Sequence, residues 1–62
     1  MRHWLEHIGN LICFVSLKDK KLSVSYLDEQ YELIDVEKIF EKDPTEEEIQ
    51  KEIFIIVGAK QI

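Results

Sequence analysis

A 62-residue chain that is 45% hydrophobic and 34% charged, with a net charge of −5, has enough apolar side chains to fold and too few residues for more than one domain, 1–62. A fold this small buries only about 60% of the surface its unfolded chain exposes, so a core and a deep catalytic cleft compete for the same residues. The single cysteine, Cys13, excludes an internal disulfide. One cysteine, two histidines and no C-x-x-C leave no four-ligand structural zinc site readable from spacing.

The chain opens with MRHWLEH, in which His3, Glu6 and His7 stand in the order H-x-x-E-H of an inverted zinc-peptidase signature. Trp4, Leu5 and Ile8 form a helical stripe, so the segment reads as a helical stub from Met1 that stops near Gly9. On a helix His3 and His7 lie one turn apart and reach one metal, with Glu6 placed to act on a bound water. Two turns of terminal helix with no third ligand make a poor preorganised site. A zinc-dependent hydrolase is therefore the remote reading of HWLEH, and a polar face on an amphipathic end segment the main one. His3 and His7 remain only weak metal candidates, and no cofactor or metal is expected.

NLICFVSLKDKKLSVSYL reads as a β-hairpin. A turn at Asp19-Lys20 opposes Leu17 to Leu22, Val15 to Val24 and Cys13 to Tyr26, each pair on one face. A second turn at Asp28-Glu29 opposes Tyr26 to Tyr31 and Val24 to Leu33. The two turns agree on one apolar face running from Leu11 through Cys13, Val15, Leu17, Leu22, Val24, Tyr26 and Tyr31 to Leu33. Neither turn carries the glycine or Asn-Gly of two-residue hairpins, so longer bulged turns are the alternative. The other face carries Ile12, Phe14, Leu27 and Ile34, too apolar for open water. Cys13, on the inward face, reads as a small core hydrophobe.

Beyond Ile34 the pattern changes. Asp35 caps a short helix, VEKIFEK, with Val36, Ile39 and Phe40 on one face. DPTEEEIQKEIFIIVG then reads as the principal helix, with Asp43 at the N-cap, Pro44 at the first helical position and Glu46 closing an Asp variant of the capping box. Ile49, Ile53, Ile56 and Val57 form its apolar stripe and Gly58 ends it. The run IFIIV is rich in β-branched residues, so a fourth strand at 53–57 is the alternative. The expected fold is α+β: a three-stranded antiparallel meander over about 10–35, an N-terminal helical stub, and a C-terminal helix packed on the sheet.

Charge divides the chain. Residues 1–27 carry four basic groups against two acidic; residues 28–62 carry four against eleven. The acidic group Glu41, Asp43, Glu46, Glu47 and Glu48 reads either as a solvated helix start or as a surface that imitates nucleic acid toward a basic cleft. Direct nucleic-acid binding is not expected, because no basic stripe interleaved with aromatics exists. Phosphate-binding and nucleophile-elbow motifs are missing too. No run approaches the roughly 20 apolar residues of a membrane span, the N-terminus makes a poor signal peptide, and a lone thiol fits the cytoplasm.

These features together predict a small acidic, non-enzymatic protein-binding module: an inhibitor or regulator of a larger cytosolic protein, of the sort viruses and mobile elements encode. Its binding residues are expected on the acidic group or on the apolar face Ile12, Phe14, Leu27 and Ile34, with Trp4 as a further anchor. A self-assembling structural or accessory subunit, a homodimer first, is the alternative.

Overall fold

The structure is a computed structural model that describes residues 1–58. Four strands, β1 (Arg2–Ile8), β2 (Leu11–Lys18), β3 (Lys21–Leu27) and β4 (Leu33–Ile39), form one antiparallel sheet in sequential order, and α1 (Glu46–Gly58) packs on one face. Three expectations are corrected. The sheet has four strands instead of three, the N-terminal segment is a strand instead of a helical stub, and VEKIFEK forms no helix, its first four residues, 36–39, completing β4. The alternative of a fourth strand had the right number, but 53–57 lies in α1 and the additional strand is β1.

The N-terminal correction has a local cause. Gly9 has φ +59, and with Asn10 it forms a two-residue turn between the paired residues Ile8 and Leu11. Glycine adopts this backbone freely, and Gly at the first turn position matches the twist of a hairpin. Once that turn forms, RHWLEHI alternates with period two: Trp4, Glu6 and Ile8 point inward and half-buried, while His3, Leu5 and His7 are exposed. The inward Glu6 hides this alternation from a reading that counts only apolar side chains.

The β2–β3 hairpin forms in the expected register. Leu17 pairs with Leu22 and Val15 with Val24 across the Asp19-Lys20 turn. Asp19 has φ +56, a left-handed conformation that aspartate tolerates better than most residues.

The next turn is one residue longer than expected and begins one residue later, at Glu29, and together these shift the pairing by three. The Tyr31 N–H donates to the Asp28 carbonyl at 3.0 Å and the Asp28 N–H to the Glu32 carbonyl at 3.0 Å. Tyr31 itself sits at φ +62. This is a tight turn followed by a left-handed residue, the three-residue hairpin loop. The Asp28 carboxylate accepts from the N–H groups of Gln30 and Glu32 at 2.8 and 2.9 Å, so the loop backbone is held by its first side chain. Tyr26 therefore opposes Ile34, and Val24 opposes Val36. The expected pairing is displaced by three residues, and an odd displacement turns every side chain of a strand over. Ile34 moves to the inner face, half-buried against the core, and Leu33 moves to the outer face.

Helix α1 starts two residues later than the Asp43-Pro44 reading has it. Thr45 is the cap: its Oγ1 accepts from the Glu48 N–H at 3.2 Å, and Glu48 Oε1 accepts from the Thr45 N–H at 3.1 Å. That reciprocal pair is a capping box. Ile49, Ile53 and Val57 are fully buried against Cys13, Val15, Leu22, Val24 and Tyr26, each worth about 2 kcal/mol of gross transfer energy. Two polar contacts tie α1 to the edge strand: Arg2 Nη1 to Glu46 Oε1 at 2.6 Å and Gln50 Nε2 to Glu6 Oε1 at 2.7 Å.

Candidate interaction surface

The helix covers one face of the sheet, and no element of the described residues covers the other. Antiparallel sheets commonly present a polar face to water. This one does not, because each strand sends at least one large apolar side chain outward: Leu5 from β1, Ile12 and Phe14 from β2, Leu27 from β3, Leu33 and Ile39 from β4. All are about half exposed or more, with Phe14 at 63% and Leu33 at 68%.

The register sets these residues in rows across the strands. Leu5 pairs with Phe14, Phe14 with Ser25 and Ser25 with Asp35. The adjoining row holds His3, Ser16, Ser23 and Glu37. The serines are short, so the surface dips beside the projecting Phe14. An open hollow of about 400 Å³ lies there, bordered by His3, Leu5 and Phe14 and floored by Ser16, Ser23 and Ser25. Between Leu33 and Ile39, the β4 side of the same face is polar and internally paired: Lys21 Nζ lies 2.7 Å from Glu37 Oε2, and the Ser25 hydroxyl donates to Asp35 Oδ1 at 3.0 Å. Of the four residues expected on this face, Ile12, Phe14 and Leu27 are there and Ile34 is not. Leu5, Leu33 and Ile39 are the ones sequence reading missed. The signal for Leu5 was Gly9-Asn10, a two-residue turn that, once placed, sets Leu5 opposite Phe14.

The other candidate residues are scattered. HWLEH lies on β1, so His3 and His7 share the outer face but stand roughly 13 Å apart, four residues at about 3.3 Å each. Glu6 points to the opposite face, where Trp4 Nε1 donates to it at 2.8 Å alongside Gln50. The helical geometry that would bring both imidazoles to one ion, with Glu6 beside its bound water, does not form. Among the described residues no group of three or more His, Cys, Asp or Glu is placed to hold a metal. Trp4 is half-buried on the inner face under the Arg2 guanidinium, 4.7 Å from the ring centre, a cation–π contact. It packs the strand edge to the core and is not part of the outer surface.

Within the acidic group, Glu46 is paired with Arg2 and Glu48 with the Thr45 cap. The Thr45 N–H, and then the Thr45 hydroxyl, hold the Glu48 carboxyl below its usual range. All five acidic residues, Glu46 and Glu48 included, are exposed. Cys13 is buried, and burial followed by the nearby Glu6 charge pushes its thiol pKa up. A protonated, enclosed thiol is a poor nucleophile. Tyr26 is also buried, its phenol pKa raised first by burial and then by Cys13 and Asp28. Its hydroxyl has no hydrogen-bond partner among the described residues. Tyr31, expected beside it, is 85% exposed at the tip of the β3–β4 loop.

The fold and surface define a class: an open-faced antiparallel meander backed by one helix, with its apolar relief on the uncovered side. No protein-family model matches the chain, and neither a curated protein nor a solved structure matches it significantly. No helix among the described residues is long and apolar enough to cross a membrane.

Proposed function

We propose that this chain is a non-enzymatic protein-binding module, an inhibitor or regulator that acts by laying the outer face of its sheet on a larger protein in the cytoplasm. The observation that carries this reading is the set of outward apolar side chains on all four strands, centred on Phe14 beside its serine-floored hollow. An aromatic residue that projects from a rigid strand loses little conformational freedom on docking and fills a pocket well, the usual character of a binding hot spot. The acidic group contributes less than the sequence suggests, since Glu46 and Glu48 are engaged within the fold. Docking through an apolar face depends weakly on salt, whereas an imitation of nucleic acid loses affinity steeply as salt rises.

The test is a paired capture from a lysate of the cells that make the protein, with the wild-type chain and Phe14→Ser immobilised side by side at low and high salt. A larger protein retained by the wild type, released by Phe14→Ser and indifferent to salt supports the reading. Equal retention by both chains, or retention lost only with salt, overturns it.

A further inference from the structure

We infer that, apart from any larger partner, the outer sheet face is closed by a second copy of this chain, related by a two-fold axis that runs along the strands between β2 and β3. The inference rests on the surface assigned above and names its occupant in the free protein.

The face is self-complementary in relief. It carries one projecting aromatic, Phe14, and one hollow floored by Ser16, Ser23 and Ser25. A two-fold axis along the strands sets β2 of one copy over β3 of the other and keeps every residue at its own level along the strand. Phe14 and Ser25 are register partners, so each Phe14 comes to lie over the other copy's Ser25, at the hollow, twice per dimer. By the same operation Ile12 meets Leu27, and β1 lies over β4 of the other copy. There His3 meets Glu37, because both occupy the row of Ser16 and Ser23. Leu5 meets Asp35, whose carboxylate already accepts from Ser25, and His7 meets Leu33. Lys18 and Lys21 meet at the end of the strands, where both side chains reach water.

The alternative two-fold axis, across the strands, is the less favourable. It lays each strand over its own copy, brings Asp35 against Glu37 in the middle rows, and sets Ile12 and Leu27 over Lys18 and Lys21. Like charges directly opposed are unfavourable, and the arrangement along the strands confines them to Lys18 and Lys21 at the open end while matching apolar Ile12 to apolar Leu27. Packed sheets keep their strands within about 30° of each other, which the first arrangement allows. The area lies near the lower limit for a specific interface. Seven residues at about 3.3 Å and four strands about 4.8 Å apart give a footprint of roughly 440 Å² in projection, or about 880 Å² for two, and the relief of the projecting Phe14, Ile12 and Leu27 side chains carries the buried surface toward the roughly 1,200 Å² at which specific interfaces begin.

Sedimentation equilibrium of the full chain from micromolar to submillimolar concentration tests this. The wild type is expected to pass from the 7.4 kDa monomer mass to twice that value. Phe14→Ser, which removes the knob, and Ser25→Trp, which fills the hole, each weaken the dimer about tenfold or more. His3→Glu, opposite Glu37 of the other copy, weakens it severalfold. All three sites are outward-facing, so circular dichroism and thermal midpoints should confirm that the variants stay folded. A wild type that remains monomeric, or a dimer indifferent to Phe14→Ser and Ser25→Trp, overturns the inference. A dimer that responds to those two but not to His3→Glu overturns the arrangement along the strands. A monomeric wild type that still captures a larger protein through Phe14 refutes the dimer alone; loss of both results refutes the docking surface itself.

Discussion

Replacing Tyr31 with glycine should make the protein more stable, although it deletes the largest side chain in its loop. Tyr31 holds φ +62, where a residue with a Cβ is less stable by about 1–2 kcal/mol than in its ordinary backbone wells. The ring is 85% exposed, so its removal sacrifices almost no packing. Glycine adopts the conformation without strain but has more freedom in the unfolded chain, which takes back about 0.5–1 kcal/mol. The net expectation is a gain of about 0.5–1 kcal/mol. A domain of this length has a total stability of roughly 3–9 kcal/mol, so the gain is measurable. With a urea slope near 1 kcal/mol/M, the unfolding midpoint should rise by about 0.5–1 M at unchanged slope. Tyr31→Ala keeps the Cβ and serves as the control, with its midpoint close to the wild type. A midpoint that falls with glycine, or glycine and alanine variants that move together, refutes the left-handed loop residue and with it the register of β4.

Four further outcomes are expected. Tyr26→Phe removes a buried hydroxyl that has no partner among the described residues and should raise stability by about 1 kcal/mol in urea unfolding; a loss of that size would reveal a hidden partner. Ile53→Ala, at the centre of the helix–sheet contact, should cost about 2–5 kcal/mol, enough to show partial unfolding by circular dichroism at room temperature. Thr45→Ala should cost about 1 kcal/mol and flatten the acid limb of stability in part, since the Thr45 N–H, the larger cause of the Glu48 shift, remains. Glu48 has a lowered folded pKa, so its contribution is present above the unfolded glutamate value and lost as pH falls through the lower folded one; urea midpoints in acid series of both proteins read this directly. On the alkaline side the sign reverses. The thiol of Cys13 and the phenol of Tyr26 have raised folded pKa values, so stability holds below their unfolded values and falls as pH climbs toward the folded ones, and Cys13→Ala should reduce that slope.

The β2–β3 hairpin was legible because every inward position, Cys13, Val15, Leu17, Leu22, Val24 and Tyr26, is apolar, and a turn at Asp19-Lys20 sets them opposite one another. The two neighbouring hairpins were not, and for different reasons. In β1 the inward position between Trp4 and Ile8 is a glutamate whose acceptor oxygen is satisfied by Trp4 and by Gln50 from 44 residues away. No local pattern announces such a partner, and Gly9-Asn10, which does mark the turn, also fits a helix end. In β4 the decisive fact is a tyrosine in a conformation that glycine or asparagine usually supplies, so the loop length was hidden by an atypical residue. That single displacement separates the expected surface residue Ile34 from the observed Leu33. The helix was read as continuous because its stripe of Ile49, Ile53 and Val57 outweighs the β-branched run, while its cap lies at Thr45 because only Thr45 and Glu48 stand at reciprocal reach.

Every strand pairs with its neighbour in sequence, and the distant ends of the chain meet only when α1 settles beside β1 through Arg2–Glu46 and Glu6–Gln50. Chains wired from such local pairings assemble quickly, since little loop-closure entropy precedes each contact. The last step is then the docking of the helix. Until it arrives, a newly synthesised molecule offers water-averse surface on both sides of a thin ribbon, and its first moments outside the ribosome are when a chaperone, or an unwanted neighbour, has most to hold.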